Sequence, residues 1–159
     1  YPRVDGFTIL PTLLHPKSRG TVSLSSSDPK DAPIIQPNFL EEKEDLDQLV
    51  KGGKLVFKIM KDDALRKHTL RDRLPFDRDS EESLIEHIKK TLETVYHPVG
   101  TCKMGVDSMA VVDPMLKVQG ISNLRVVDAS IMPLIVSGNT NAPVYMIAEK
   151  AADMILNNF

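Results

Sequence analysis

Three stretches of the chain carry apolar residues at helical spacing. From Glu44 to about Arg66 apolar side chains recur every three or four residues, which predicts one continuous helix. The central Gly52–Gly53 pair weakens such a helix by about 1 kcal/mol per glycine relative to alanine, so close packing against a neighbour would explain it. A second helix is predicted to start at the capping box formed by Asp79 and Glu82.

The last predicted helix opens at Asn141 and carries Pro143 in its first turn, where a proline is well tolerated. Apolar positions three, four and seven residues apart follow it. The buried face of this helix is predicted to consist of Val144, Ile147, Ala148, Ala151 and Ile155.

Short apolar runs bounded by proline and glycine predict strands elsewhere. "FTILPTLLHP" (7–16) reads as an edge or bulged strand because of Pro11. Shorter strands are predicted around Thr21–Leu24 and within "PIIQPNF" (33–39). "LRVVDAS" (124–130) is continuously apolar up to its carboxylate, which is typical of a strand buried on both faces. Clustered strands with inserted helices predict the α+β class.

Composition narrows the class of protein. The 159 residues are 42% hydrophobic and 26% charged with a net charge of −2, which fits a globular domain and gives no electrostatic footprint for nucleic acid. No apolar run approaches the roughly 20 residues of a membrane span. The single cysteine leaves the redox compartment undecided. The chain opens Tyr1-Pro2-Arg3, so we expect it to be a piece of a longer protein.

The stretch "YHPVGTCKMG" (96–105) places an imidazole at the mouth of a tight turn. Pro98 biases His97 toward extended geometry, and Gly100 and Gly105 permit close approach of the backbone to another body. Either this is a buried turn with a satisfied histidine, or backbone and imidazole are shaped around a ligand. Cys102 is interpreted as a small buried residue behind the turn.

A second unusual stretch precedes the last helix. Asn139-Thr140-Asn141 reads either as a helix-capping tract or, with His97, as an acid/base and hydrogen-bonding site. The remaining histidines carry less chemistry: His68 and His87 are predicted on the surface, and His15 is either structural or lines a pocket. The cysteine and histidine spacings do not support a metal site. The sequence contains no G-x-G-x-x-G turn, and "KGGKLV" (51–56) is not a phosphate loop.

Three motifs in order, "YHPVGTCKMG", "LRVVDASIMP" and "GNTNAPVYMIAEKAADMI", closely resemble the C-terminal region of the glucose–methanol–choline (GMC) family of flavin oxidoreductases. The resemblance runs from "LHPKSRGTVSLSSSDP" (14–29) to the last helix and is greatest to the animal, glucose-dehydrogenase-like branch. It implies an antiparallel sheet backed by helices. The glycine-rich nucleotide turn that opens the FAD-binding domain of the family is absent here.

The resemblance also implies the roles of individual residues. His97 matches the histidine that accepts the substrate hydroxyl proton while hydride passes to the flavin. Asn139 matches the second catalytic position, His or Asn in the family, and its amide would donate to the developing alkoxide. Because an amide cannot act as a base, proton acceptance falls on His97, since histidine is the residue type that most often serves as a general base. Expected cofactor contacts are Asp128, the Ala129 amide, Asn141 and Pro143.

The family organisation would divide the chain in two. Residues 1–93 would supply most of the substrate-binding part, and residues 94–159 would return to complete the FAD-binding domain, whose N-terminal part belongs to the same parent chain. A small alcohol or sugar would be the substrate and FAD the cofactor. The sequence leaves the compartment open, and the family resemblance favours a secreted location. The competing hypothesis is a non-catalytic ligand-binding module derived from this fold.

Overall fold

The computed structural model describes residues 5–69, 71 and 76–157. The chain divides into two units. The first comprises Tyr1–Arg19 and Asn38–Glu93, and the second comprises Gly20–Pro37 and Thr94–Phe159. The assignment of residues 1–93 to substrate binding and of 94–159 to the flavin domain stays a prediction.

The first unit is built on three helices, α1 (Lys43–Met60), α2 (Asp63–Arg66) and α3 (Glu81–Thr91). The predicted continuous helix from Glu44 to Arg66 is wrong at its carboxyl-terminal end. The chain leaves helical geometry after Met60, and the Asp62 side chain accepts from the Ala64 N–H to start α2 as a separate turn. A local side-chain cap thus competes with continuation of α1.

The paired glycines of α1 lie where two neighbours come close. A Cβ on Gly53 would stand 3.0 Å from Leu84 Cδ1 of α3, and one on Gly52 would stand 2.9 Å from Pro11 Cβ. The interpretation of the pair as a close-packing device is therefore confirmed. Leu84 is the buried side chain of α3 and closes this contact.

Two details of the first unit correct the sequence predictions. α3 is capped by Ser80, whose hydroxyl accepts from the Ser83 N–H, so the capping box predicted at Asp79 is one residue out of register. His87 does not lie free on the surface. Its ring is half-buried and stacks on Phe76, with ring centroids 4.1 Å apart.

The strands are short. β1 (Thr21–Ser23) and β2 (Ile34–Gln36) pair antiparallel with Val22 opposite Ile35, so both predicted strands are confirmed. Gly20 makes this hairpin possible, because a Cβ there would collide with the Gln36 carbonyl oxygen and stand 2.9 Å from Pro37 Cα. The strand predicted over 7–16 is wrong: residues 7–16 are irregular, and Pro11 packs on α1 instead.

The "LRVVDAS" segment is extended but is not a strand buried on both faces. Within the part of the chain that the structure describes, it pairs along one edge, through Val118 N–H to Leu124 O and Val126 N–H to Leu116 O. The Asp128 carboxylate then accepts from the Ser130 N–H and turns the chain into a 3₁₀ turn, Ala129–Ile131. The extended segment therefore has a partner along one edge, and it ends where the Asp128 side chain caps the 3₁₀ turn.

The second unit closes around α4 (Asn141–Leu156). The predicted start of this helix is confirmed, but its buried face is displaced. Ile147 and Ala151 are buried with Val144 and Met154 packed beside them, whereas Ala148 and Ile155 are exposed. The core of the unit consists of Val112, Leu116, Ile131, Met132, Ile147 and Ala151. Together with the paired strands this confirms an α+β architecture with antiparallel pairing. None of the helices described is long and apolar enough to cross a membrane.

Candidate functional site

A sharp backbone turn immediately precedes His97. Tyr96, immediately before it, adopts φ +61°, a left-handed conformation that is costly for a side chain with a Cβ. The Tyr96 N–H donates to Thr94 Oγ1 at 3.1 Å, which supports the turn from within the same loop. The His97 side chain follows half-buried rather than in solvent. Backbone strain of this kind clusters at functional sites, although Leu40 and Leu116 also adopt positive φ in this chain.

The ring of His97 contacts the second motif directly. Its Nδ1 lies 3.0 Å from Thr140 Oγ1, and Thr140 is 8% exposed. Thr140 follows Asn139 in the chain, so the structure brings the imidazole to the residue next to the second predicted catalytic position. The side chain of Asn139 is exposed. The two predicted catalytic residues therefore belong to one corner of the second unit.

The loop after His97 is held by main-chain bonds to the 3₁₀ turn. Cys102 N–H donates to Ser130 O at 3.0 Å, and Met104 N–H donates to Ile131 O at 2.8 Å. Gly100 adopts φ +88°, and a Cβ there would stand 3.3 Å from Met132 O. Both features call for glycine at this turn. Cys102 is half-buried, with its backbone engaged in this pairing.

Asp128 and Ala129 lie at the start of the same 3₁₀ turn. The Asp128 carboxylate is exposed, and one of its oxygens accepts from the Ser130 N–H at 2.7 Å. Ala129 is half-buried and packs against the core. Both residues thus lie at the end of the extended segment, as the motif predicts. Their contact with a cofactor stays a prediction.

Asn141 and Pro143 occupy the first turn of α4. Asn141 is exposed, Pro143 is half-buried, and the side chain of the N-cap residue Thr140 makes no capping hydrogen bond. The capping interpretation of the Asn-Thr-Asn tract is therefore wrong as far as side-chain caps are concerned. An uncapped amino terminus presents N–H groups and the positive end of the helix dipole, an arrangement that favours a negatively charged group.

Lys103 and Asp107, in the loop that follows His97, form an ion pair. Lys103 bonds both oxygens of Asp107, and together with the Met109 N–H it holds the pKa of that carboxyl below its usual range. The described residues contain no group of three or more side chains able to hold a metal ion.

In the first unit His15 lines an open cleft of about 560 Å³ beside Lys17 and Glu44.

Sequence reasoning missed the hydroxyl of Thr140. The sequence places Thr140 in a capping tract, yet its side chain makes no cap and bonds an imidazole 43 positions away. A local signal was present: Pro143, three residues on, has no N–H for the hydroxyl to accept.

Comparison with known proteins adds independent findings. The chain is 47% identical over 152 residues to alcohol dehydrogenase [acceptor] of Pseudomonas putida, covering 95% of this chain and 28% of that protein. It is 41% identical to choline oxidase of Arthrobacter globiformis, covering 98% of this chain and 30% of that protein. Each share shows that the chain spans little more than a quarter of the length of these relatives.

Solved structures of other oxidases resemble this chain in fold. Pyridoxine 4-oxidase from Mesorbium loti superimposes with a TM-score of 0.82 at 37% identity, over 89% of this chain and 28% of that one. Formate oxidase of Aspergillus oryzae RIB40, studied for modification of its FAD, gives a TM-score of 0.84 at 33% identity, over 92% of this chain and 26% of that one.

None of the four proteins just named is a glucose dehydrogenase, so the assignment to the animal, glucose-dehydrogenase-like branch stays a prediction. The family itself is shown. The sequence model of the protein family described as GMC oxidoreductase matches residues 16–148. This range is most of the chain and includes all three motifs up to the first turns of α4. The chain belongs to the GMC oxidoreductase family, as part of its C-terminal domain.

Proposed function

We propose that this chain is the C-terminal part of an FAD-dependent oxidoreductase that oxidises the CH–OH group of a small alcohol or sugar, with His97 as the base. One observation carries the proposal: the 3.0 Å contact between His97 Nδ1 and Thr140 Oγ1 joins the histidine motif to the motif that contains Asn139. The relatives named above are dehydrogenases and oxidases, which favours an enzyme over a non-catalytic ligand-binding module.

The residues of the second unit fit a flavin. The uncapped start of α4 offers N–H groups and positive dipole to an anionic group, with the exposed amide of Asn141 beside it. The exposed Asp128 carboxylate has a second oxygen besides the one bonded to Ser130, and can accept from a ribityl hydroxyl. Asp128, Ala129, Asn141 and Pro143 would hold the cofactor. FAD, when bound, accepts hydride from the alcohol carbon.

The chemistry left to this chain is proton transfer and stabilisation of charge. Nδ1 of His97 is engaged with Thr140, so Nε2 is the nitrogen available to take the hydroxyl proton of the alcohol. The Asn139 amide, which is exposed and one residue before Thr140 in the chain, would donate to the oxygen as it gains negative charge. Removal of the hydroxyl proton by the base, together with a hydrogen bond to the oxygen that is left, lowers the barrier to loss of hydride from the carbon.

Replacement of His97 tests this proposal. In the complete protein that contains this chain, His97→Ala is expected to retain flavin but to reduce it about 10²–10⁴-fold more slowly, the range for a positioned general base. Any pH dependence of reduction that arises from the base should disappear with the imidazole. Stopped-flow reduction by a panel of alcohols and sugars from pH 5 to 9 measures both effects.

The matched control is His68→Ala, which removes an exposed histidine of the first unit and should leave reduction unchanged. A folded, flavin-loaded His97→Ala protein that is reduced at the wild-type rate across this pH range would end the assignment of His97 as base.

A further inference from the structure

The hydroxyl of Thr140 does not do what its position in the helix predicts. Thr140 is the N-cap residue of α4, where a threonine hydroxyl normally accepts from the backbone N–H two or three residues on. The third residue on is Pro143, which has no N–H, and Thr140 itself is helical in backbone (φ −80°, ψ −7°) rather than extended. The side chain makes no cap and instead reaches His97 Nδ1 at 3.0 Å.

Thr140 is also held firmly in place. Its carbonyl accepts from the Val144 N–H at 3.0 Å as the first bond of α4, and its side chain is largely buried. Being β-branched, it has restricted rotation about χ1. Burial keeps competing water away from the Oγ1–Nδ1 bond, which strengthens it. Its fixed position on a helix makes Thr140 suitable for orienting a neighbouring ring.

We infer that Thr140 is a positioning residue for His97: it accepts a hydrogen bond from Nδ1–H and thereby keeps the lone pair of the neutral ring on Nε2. The inference rests on the proposed function, since it specifies which nitrogen of the proposed base takes the proton.

The bond fits both protonation states of the ring. Neutral His97 with its proton on Nδ1 donates to Oγ1, and protonated His97 donates to the same oxygen. Uptake of a proton at Nε2 therefore requires no rearrangement at Thr140. If the hydroxyl is removed, the ring loses this bias and can rotate or change tautomer, which takes the lone pair away from the substrate.

Kinetics of two variants separate orientation from bulk. In the complete protein, Thr140→Val keeps the shape but removes the hydroxyl, and should slow flavin reduction about 10–100-fold, the scale of misplacing a catalytic group, with substrate affinity little changed. Thr140→Ser restores the hydroxyl and should recover most of the rate. Thr91→Val is the matched control, because the Thr91 hydroxyl bonds a main-chain carbonyl, that of His87, within α3. A wild-type rate in Thr140→Val, or no recovery in Thr140→Ser, overturns the inference.

A spectroscopic measurement is independent of turnover. In protein labelled with ¹⁵N in the histidine rings, with His97→Gln used to assign the signals, neutral His97 should carry its proton on Nδ1. Thr140→Val should shift it toward a mixture of tautomers. A neutral wild-type His97 protonated on Nε2 overturns the inference, and this reading decides the matter if Thr140→Val does not fold.

The two hypotheses fail in different ways. If His97→Ala is reduced at the wild-type rate while the labelled ring still shows its proton on Nδ1, the proposed base is wrong and the inference about its orientation falls with it. If His97→Ala loses its activity but Thr140→Val does not, the base stands and only the role of Thr140 is refuted.

Discussion

At the scale of single residues, the candidate site separates a group that can take a proton from groups that can only hydrogen-bond. Nδ1 of His97 is engaged with Thr140 and Nε2 makes no hydrogen bond to the described residues, whereas Asn139 and Thr140 cannot act as bases. Asn139 is exposed and the structure describes no hydrogen bond from its amide to residues 5–69, 71 or 76–157. Its amide is therefore available to a substrate oxygen.

Replacement of Asn139 should separate these roles. Asn139→Ala in the complete protein is expected to slow flavin reduction by about 10²–10³-fold, the scale for losing one donor to a developing oxyanion. Asn139→His should keep part of the rate, because an imidazole N–H can also donate. Rapid-reaction measurement of flavin bleaching compares the variants. An unchanged rate in the alanine variant would leave Asn139 without a part in the reaction.

At the scale of elements, a buried carboxylate joins an irregular segment to a helix. Asp45 of α1 is 3% exposed and accepts from the N–H groups of Lys17 and Ser18 at 2.7 and 2.8 Å. Burial alone would raise the pKa of Asp45, but these donors, with the Ser18 hydroxyl and the charge of Arg19, lower it below the ordinary value of 3.8. The irregular chain that replaces the predicted first strand is anchored here.

Replacement of Asp45 should destabilise the protein in a pH-dependent way. An amide has one acceptor oxygen where a carboxylate has two. In Asp45→Asn the amide NH₂ would therefore face one of the two N–H groups, and the substitution is expected to lower the free energy of unfolding by about 1–3 kcal/mol at pH 7. A carboxyl whose pKa is lowered by folding stabilises above its unfolded value and loses this contribution as pH falls through the folded value. The cost should therefore shrink below about pH 4.

Urea unfolding of wild type and variant at pH 7 and at pH 3 measures this difference. Asp47→Asn is the control on the same helix, since Asp47 is half exposed and its ion pair with Lys43 is 3.7 Å long. Equal losses in the two variants, or a loss that does not vary with pH, would contradict the anchoring role of Asp45.

At the scale of the whole molecule, α4 carries apolar side chains on the face away from its core as well as on the face toward it. Tyr145 and Met146 are 67% and 61% exposed, while Ile147 and Ala151 are buried. A helix apolar on both faces is typical of one enclosed on both sides. We therefore expect the outer face of α4 to be covered in the complete protein, since the chain spans only 28% and 30% of the two relatives named above.

The 159-residue chain alone should accordingly bind FAD weakly or not at all. Its sequence holds no glycine-rich nucleotide turn, and its expected flavin contacts all lie between Asp128 and Pro143. Equilibrium dialysis of the isolated chain against FAD checks this, with the complete protein as the positive control. Stoichiometric retention at micromolar concentration or below would show that these residues suffice for the cofactor.

The sequence by itself determined what depends on neighbours a few positions away. The hairpin strands follow from the glycine and prolines that bound them, and the start of α4 from Asn141 and Pro143. The three motifs were enough to identify the family. Errors of the same local kind were small, such as the cap of α3 at Ser80 instead of Asp79, since both residues are good caps and only the backbone geometry selects one.

Tertiary structure alone decided the partners of side chains that reach across the chain. The Thr140 hydroxyl finds His97 across 43 positions, and the Asp45 carboxylate finds Lys17 across 28. Sequence spacing cannot identify such partners, because they depend on how distant segments of the chain pack together. The sequence shows only that Pro143 offers the Thr140 hydroxyl no N–H; it does not show that His97 takes that place. For the same reason "LRVVDAS" is apolar enough for an inner strand, yet pairs on one edge and ends where Asp128 caps the next turn.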